Sequence, residues 1–357
     1  AKILAQGSSA NPIIFTSFYD DSYAGDTNSD TASTAPSAGN WYGVRINSPG
    51  AESSISNAVF RYGGKYYNGP WSDSRANLYI ANSSAEISNS IFEHSKVYGL
   101  KMVYSDSSIA DSIFRNNNNV SDTAGYDSSL LAMGGNPSVS KSSFVSNHKG
   151  AYFFNSLATV DSNTFTANAN EAVYSYGQLG SYTNNSGSGN GVDAMSLNGT
   201  ITQNGATTTL AANTLPYLLS GNVIVAANSA LAVNSGAIIK GWNVVSTSYL
   251  SVYGNLIASG TNFSDIVFGS MFSSPAKGNW GGVRLYSGSQ SNIYGATFEY
   301  ADTAISYNGS PLNLSNVKFN ENNLGVSADA ASLSYPINAS DITFTGNTAT
   351  TSPGGLW

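Results

Sequence analysis

Five oxygen-bearing side chains crowd into one short stretch: Asp20, Asp21, Asp26, Asn28 and Asp30, the last three on alternate positions. Hard oxygens at this density suit Ca²⁺, which takes roughly six to eight oxygen ligands. The stretch lacks the central Gly and closing Glu of an EF-hand loop. The expectation is a structural Ca²⁺ on these five residues; the competing reading is a solvated acidic turn. Further along, Tyr62, Tyr66, Tyr67 and Trp71 surround Asn68, Gly69 and Pro70. Aromatic faces beside amides suit sugars, because rings stack on C–H faces while amides take the hydroxyls. This second loop is expected to contact carbohydrate, or else to pack against the side of the scaffold.

No catalytic set stands out. Outside the first loop the acids, among them Glu93, Asp111, Asp127, Asp161 and Glu171, fall singly, whereas glycoside hydrolysis needs paired carboxylates on one face. Arg61, Glu93, Arg115 and Glu299 each follow a Phe. That column of mixed sign reads as outward charge pairing of little energetic worth. Arg45 and Arg284 hold matching positions in a repeated segment, which points to structure rather than catalysis. His94 and His148 stand alone and read as turn residues. With no cysteine in 357 residues, thiol catalysis, disulfides and thiolate metal sites are excluded.

Composition narrows the setting. Only 10% of residues are charged, against roughly 25% in an average soluble protein. Asn, Ser, Gly and Thr take their place, which suits an exported β-protein with a neutral, hydroxyl-rich surface. A net charge of −7 with 14 Lys and Arg argues against nucleic acid as a partner. No apolar run approaches the ~20 residues of a membrane helix.

The elements that must position these groups are short strands. Apolar runs alternate, are rich in Val, Ile, Phe and Tyr, and are cut by Gly, Asn, Ser and Asp. Two distant segments nearly repeat: Asn40-Trp41-Tyr42-Gly43-Val44-Arg45 and Asn279-Trp280-Gly281-Gly282-Val283-Arg284. A smaller repeat sets Phe60, Phe92, Phe114, Phe144, Phe165, Phe298, Phe319 and Phe344 mostly about 21 to 25 residues apart, and three short strands with their turns need about that length. Each unit fits one coil of a parallel β-helix, with Phe stacked inward. Three residues after Phe come Asn117, Asn147, Asn168, Asn322 and Asn347, which predicts an amide ladder at one corner. Gly63, Ser95 and Ala301 break that column. The expected division is residues 1–185, a weak but still coiled seam at 186–214, and residues 215–357.

These motifs, with the Leu250-x-Val252-x-Gly254-x-Leu256-x-Ala258 strand pair, resemble exported bacterial surface proteins of the right-handed parallel β-helix, pectate-lyase-like superfamily. The resemblance implies an all-β solenoid and an extracellular or cell-surface location. It implies little about activity, since that superfamily holds lyases, hydrolases, adhesins and structural proteins alike. Leu4-Ala5-Gln6-Gly7 matches Ile257-Ala258-Ser259-Gly260, so the first copy is expected to lack its opening coils. The leading expectation is therefore a non-enzymatic structural or adhesive protein that stacks end to end into a homopolymeric filament. The alternative is a carbohydrate-binding or polysaccharide-degrading protein, with the acidic and aromatic loops flanking a groove.

Overall fold

The computed structural model describes residues 2–31, 33–50, 52–66, 74–117, 125–202, 207–242, 248–328 and 337–351. Among these residues every regular element is a β-strand, and neighbouring strands pair in parallel. The chain forms a parallel β-helix in two compact units, Ala1–Tyr174 with Asn185–Asp193, and Ser175–Asn184 with Ala194–Trp357. The stretch read as a seam supplies the strands Ser186–Ser188, Val192–Ile201 and Thr207–Leu210.

In the first unit each coil passes through three strand columns. The a column holds Leu4–Gln6, Glu52–Ser56, Ser84–Ser88, Ser108–Ala110, Ser138–Ser140 and Thr159–Asp161. The b column holds Ile13–Phe15, Ala58–Arg61, Ile91–Glu93, Ile113–Arg115, Ser143–Val145, Thr164–Thr166 and Ser186–Ser188. The c column holds Val44–Asn47, Ala76–Ala81, Tyr98–Val103, Leu130–Met133 and Ala151–Phe154. Side chains alternate across a strand, so one residue in two faces the interior. In the a column these are Ile55, Ile87, Ile109, Val139 and Val160, paired in register and buried.

The b column contributes the Phe stack. Phe60, Phe92, Phe114, Phe144 and Phe165 lie face to face with centroids 4.7–5.2 Å apart, and Phe15 heads the column 4.5 Å from Phe60. The stack spacing matches the distance between hydrogen-bonded strands, so the ladder dictates the ring contact. The second unit repeats the device with Phe268, Phe298, Phe319 and Phe344, at 4.6, 5.6 and 5.0 Å. Phe15 and Phe268 were legible only as strand residues, because no earlier Phe sets their phase.

Corners between columns are single left-handed residues. Asn57, Asn89, Asp111, Lys141 and Ser162 turn a into b; Tyr62, His94, Asn116, Ser146 and Ala167 turn b into c. Each left-handed residue costs roughly 1–2 kcal/mol, offset by side chains stacked just inside the bend. Asn147 Oδ1 accepts from the N–H and amide of Asn117, and Asn168 Oδ1 does the same for Asn147. Their amides also donate to the carbonyls of Phe92, Phe114 and Phe144 at 2.8–3.0 Å. Asn190 extends the ladder, and Asn322 with Asn347 builds it in the second unit.

The exceptions in that column have a simple cause. Ser95 and Ala301 each begin a ladder, and their N–H groups donate to Asn117 and Asn322 of the next coil. At Gly63 the amide comes from Asn77, which accepts from the Gly63 N–H at 2.7 Å. A parallel ladder at the other corner, Ser90, Ser112, Ser142, Asn163 and Asn185, bonds coil to coil in the same way. Its signal, a Ser or Asn two residues before Phe92, Phe114, Phe144 and Phe165, is present in the sequence.

Candidate functional site

The repeated Asn-Trp-x-Gly-Val-Arg segment is a clamp. Asn40 Oδ1 accepts from Ser17 Oγ at 3.1 Å and from Ser37 N at 2.6 Å; Asn279 Oδ1 accepts from Ser270 Oγ at 3.2 Å and Ala276 N at 2.6 Å. The indole N–H of Trp41 donates to the Arg61 carbonyl, and that of Trp280 to the Glu299 carbonyl, both at 2.8 Å. Gly43 and Gly282 share a φ of 93° and pass so close to the next strand that a Cβ would meet the carbonyls of Ala76 and Thr303. Arg45 lies over the Tyr79 ring and Arg284 over the Tyr249 ring. These groups close a loop and pack it.

In the first unit the clamp closes the acidic loop. Its carboxylates divide into two sets. Asp20 turns inward and is buried; it accepts from the Thr16 and Ser22 hydroxyls and lies 3.7 Å from Arg61 Nε. Burial pushes its pKa up, but the Ser22 and Thr16 hydroxyls and Arg61 outweigh that and hold it below the ordinary carboxylate value. Asp21, Asp26 and Asp30 form the other set, each offering an oxygen within 4.8 Å of the others. Asp26 is fixed by the N–H groups of Asp30 and Thr31, and Asp30 by those of Ser33 and Thr34. Asn28 donates its amide to Asp30 Oδ2 at 3.0 Å. Asp21 Oδ1 is buried and accepts no hydrogen bond. Burial and the charges of Asp26, Asp30 and Asp20 raise the Asp21 pKa. A proton or a hard cation at this point relieves the repulsion. Of the five residues singled out in the sequence, Asp20 thus serves the scaffold, and Asn28 braces Asp30.

The loop is tied down by a column of charge. Glu93 lies 3.2 Å from Arg61 Nε and 2.7 Å from Arg115 Nε. The charge pairing expected from the sequence is present, but the Arg61 side chain is only 14% exposed and that of Glu93 5%, so the reading of it as a surface pairing of little worth is corrected for this part of the column, which is covered. Tyr23 and Tyr62 supply the cover, with ring centroids 5.5 and 4.5 Å from the Arg61 guanidinium carbon. His94 stacks on Tyr62 at 5.4 Å, and burial, with Arg61 and Arg115 nearby, lowers its pKa despite Glu93. Tyr62 therefore packs on the scaffold while Tyr66 is exposed; Tyr67 and Trp71 lie outside the described residues.

Beside the acidic loop the b column presents a groove of about 400 Å³. Its floor is the outward ladder Val59, Ile91 and Ile113, paired in register. Its rim is the turn column Asn57, Asn89 and Asp111, and Tyr23 of the acidic loop joins the lining with Ser8, Ser9 and Pro12. The volume falls within the roughly 300–1,000 Å³ of small-ligand sites.

A second cluster gathers residues that the sequence showed singly. His148 Nε2 lies 3.7 Å from Asp127 Oδ2 and 2.9 Å from Asn170 Nδ2. Next to it Lys149 Nζ lies 3.4 Å from Glu171 Oε2, and 5.1 and 4.9 Å from the ring centroids of Tyr152 and Tyr174. The signal was available: positions 127, 148 and 170 are one coil apart. Tyr152 is buried with Tyr98 and Leu131 under Tyr126, Phe154 and Tyr174, an apolar layer on the outer side of the c column.

The comparisons with known proteins agree with the coil. A right-handed β-helix region model matches residues 42–215, and a pectate-lyase-like β-helix domain model matches residues 199–348. The protein is a right-handed parallel β-helix protein. The A-module of mannuronan C-5 epimerase AlgE4 from Azotobacter vinelandii is similar at 10% identity over 86% of this chain and 89% of that one, with a TM-score of 0.33. No curated protein matches the chain.

Proposed function

We propose that this protein is a glycan-binding, adhesive β-helix of the cell surface or extracellular space, with its ligand lying in the groove of the b column. The observation that carries this reading is the groove's construction. The aliphatic floor of Val59, Ile91 and Ile113 offers a surface for sugar C–H faces, the amides of Asn57 and Asn89 offer donors and acceptors for hydroxyls, and Tyr23 adds a ring. Low charge and many surface hydroxyls and amides support the same setting. A structural Ca²⁺ at Asp21, Asp26 and Asp30 fits this reading, since it would fix the loop that carries Tyr23.

The test is a glycan panel read by calorimetry, with Asn89→Tyr as the blocking variant. Tyr62 and Tyr300 already adopt the left-handed backbone of Asn89, so the substitution is compatible with the fold. Binding that disappears in Asn89→Tyr is expected. Binding untouched by it, or no binding at all, removes the reading.

The cluster of Asp127, His148, Lys149 and Glu171 favours a second reading, a polysaccharide-modifying enzyme. It brings an imidazole, two carboxylates and an ammonium together on neighbouring coils, with Asp127 buried and the other three partly buried. Release of unsaturated or reducing sugars that is abolished in His148→Ala would establish it; silence across polysaccharide classes would dismiss it.

A further inference from the structure

We infer that the groove of the b column selects uncharged hexose chains and rejects uronic-acid chains. This rests on the reading that the groove binds glycan, and it names the class of glycan.

Charge sets this selectivity. Among the described residues that line the groove there is no lysine, arginine or histidine, and the one carboxylate is Asp111, exposed on the rim. The flanking ion column is internally balanced. Arg61 lies between Asp20 and Glu93, and Arg115 is paired with Glu93, so two cations face two carboxylates. Neither arginine is left over for a sugar carboxylate. The loop that supplies Tyr23 carries the further cluster of Asp21, Asp26 and Asp30. A uronic-acid chain would therefore enter a field of its own sign. It would also lay carboxylates over Val59, Ile91 and Ile113, where nothing replaces their hydration. A neutral chain meets neither cost: its C–H faces cover the aliphatic ladder and its hydroxyls reach the amides of Asn57 and Asn89. Selectivity here comes from repulsion built into the wrong complex as much as from contacts in the right one.

The turn column supplies the means of testing this. Asp111 is followed on the next coil by Lys141, which has almost the same φ, 48° against 49°. Lysine is thus already accommodated at this kind of corner, and Asp111→Lys reverses the rim charge without asking the backbone for anything new.

The experiment titrates the full chain with neutral hexose oligosaccharides (β-glucan, mannan and galactan fragments) and with oligogalacturonate, in EDTA and again in Ca²⁺. The protein as it stands is expected to bind a neutral oligosaccharide at least about tenfold more tightly than oligogalacturonate in both buffers, since a few like charges at this range sum to about the 1.4 kcal/mol of one decade. Asp111→Lys is expected to narrow that gap several-fold at low salt by raising the affinity for oligogalacturonate. Asn89→Tyr is expected to abolish neutral binding. If oligogalacturonate binds as tightly or more tightly, with or without Ca²⁺, and Asn89→Tyr abolishes that binding, the groove reading stands and the selectivity is overturned. If no glycan binds, or binding persists in Asn89→Tyr, the groove reading falls and the selectivity falls with it.

Discussion

The Asn40 and Asn279 clamps are nearly superimposable in chemistry, yet they close very different loops. Both use one Asn carbonyl to hold a Ser hydroxyl and a backbone N–H, both cap a carbonyl with an indole, and both pass a left-handed Gly against the next strand. Between the clamped residues the second copy has only residues 271–275, whereas the first has residues 18–36 and with them every acid of the first loop. The shared part is scaffold, and the unshared part is where specific chemistry resides. A device that closes loops of either length lets the coil carry insertions without altering its register.

The largest effect should come from the shared part. Gly43→Ala and Gly282→Ala place a Cβ 2.0 Å from the Ala76 carbonyl oxygen and 1.7 Å from that of Thr303, at a φ of 93°. Each should cost about 4 kcal/mol or more in urea unfolding. A tolerated alanine at either site would break the equivalence of the two clamps.

Next is a difference between the units. Tyr182 is fully buried in the second unit and donates to Ser175 Oγ; burial raises its pKa to about 12, against the hydroxyl's hydrogen bond. A raised acid pKa means the folded state keeps the proton that the unfolded state releases. Stability therefore falls as pH rises from 10 to 12, by about 3 kcal/mol in all. Tyr217, buried beside it, shifts in the same direction. Alkaline unfolding followed by circular dichroism should weaken markedly in pH dependence in Tyr182→Phe; an unchanged profile would reject this assignment.

Asn147→Ala and Asn322→Ala should each cost about 2–3 kcal/mol, because each leaves N–H groups of the preceding coil without an acceptor. Chemical denaturation of the two variants compares the ladders directly. Replacing residues 18–36 with residues 271–275 should cost only about 1–2 kcal/mol, since the clamp is conserved between copies and Arg61 keeps Glu93. The same variant should lose any Ca²⁺-dependent rise in melting temperature. A Ca²⁺ response that survives the replacement would place the ion elsewhere.

The smallest effects separate the neighbours Asp20 and Asp21, whose pKa values move in opposite directions. Asp20 contributes stability above its ordinary 3.8 that is lost as pH falls through its lowered folded value. Asp21 brings repulsion, so stability falls as pH rises from 3.8 through its raised value. Asp20→Asn should therefore destabilise and Asp21→Asn mildly stabilise at neutral pH, with both differences vanishing in acid. Thermal melts across pH 2–7 read the signs.

The Phe and Asn columns were legible because a coil repeats its environment at a nearly fixed sequence interval. Phe92, Phe114 and Phe144 announce each other, and Asn117 and Asn147 follow in phase. The acidic loop was legible as a cluster of donors, but not the divergence of Asp20 from Asp21. Adjacent residues point to different sides of the chain, and only the Arg61 guanidinium decides which carboxylate it takes. The cluster of Asp127, His148 and Glu171 went unseen because each residue is ordinary by itself. Its coil-to-coil spacing became meaningful only when the a, b and c columns were aligned.

The sequence alone determined the kind of coil, since inward side chains, corner residues and ladder amides are chosen locally and recur with its period. Only the tertiary structure decided what faces outward in company: which acids cluster, which charges cancel, and where a groove opens beside Tyr23. These are contacts between residues tens of positions apart, set by how one coil lies on the next. No local preference encodes them, because each residue's partner belongs to a different coil.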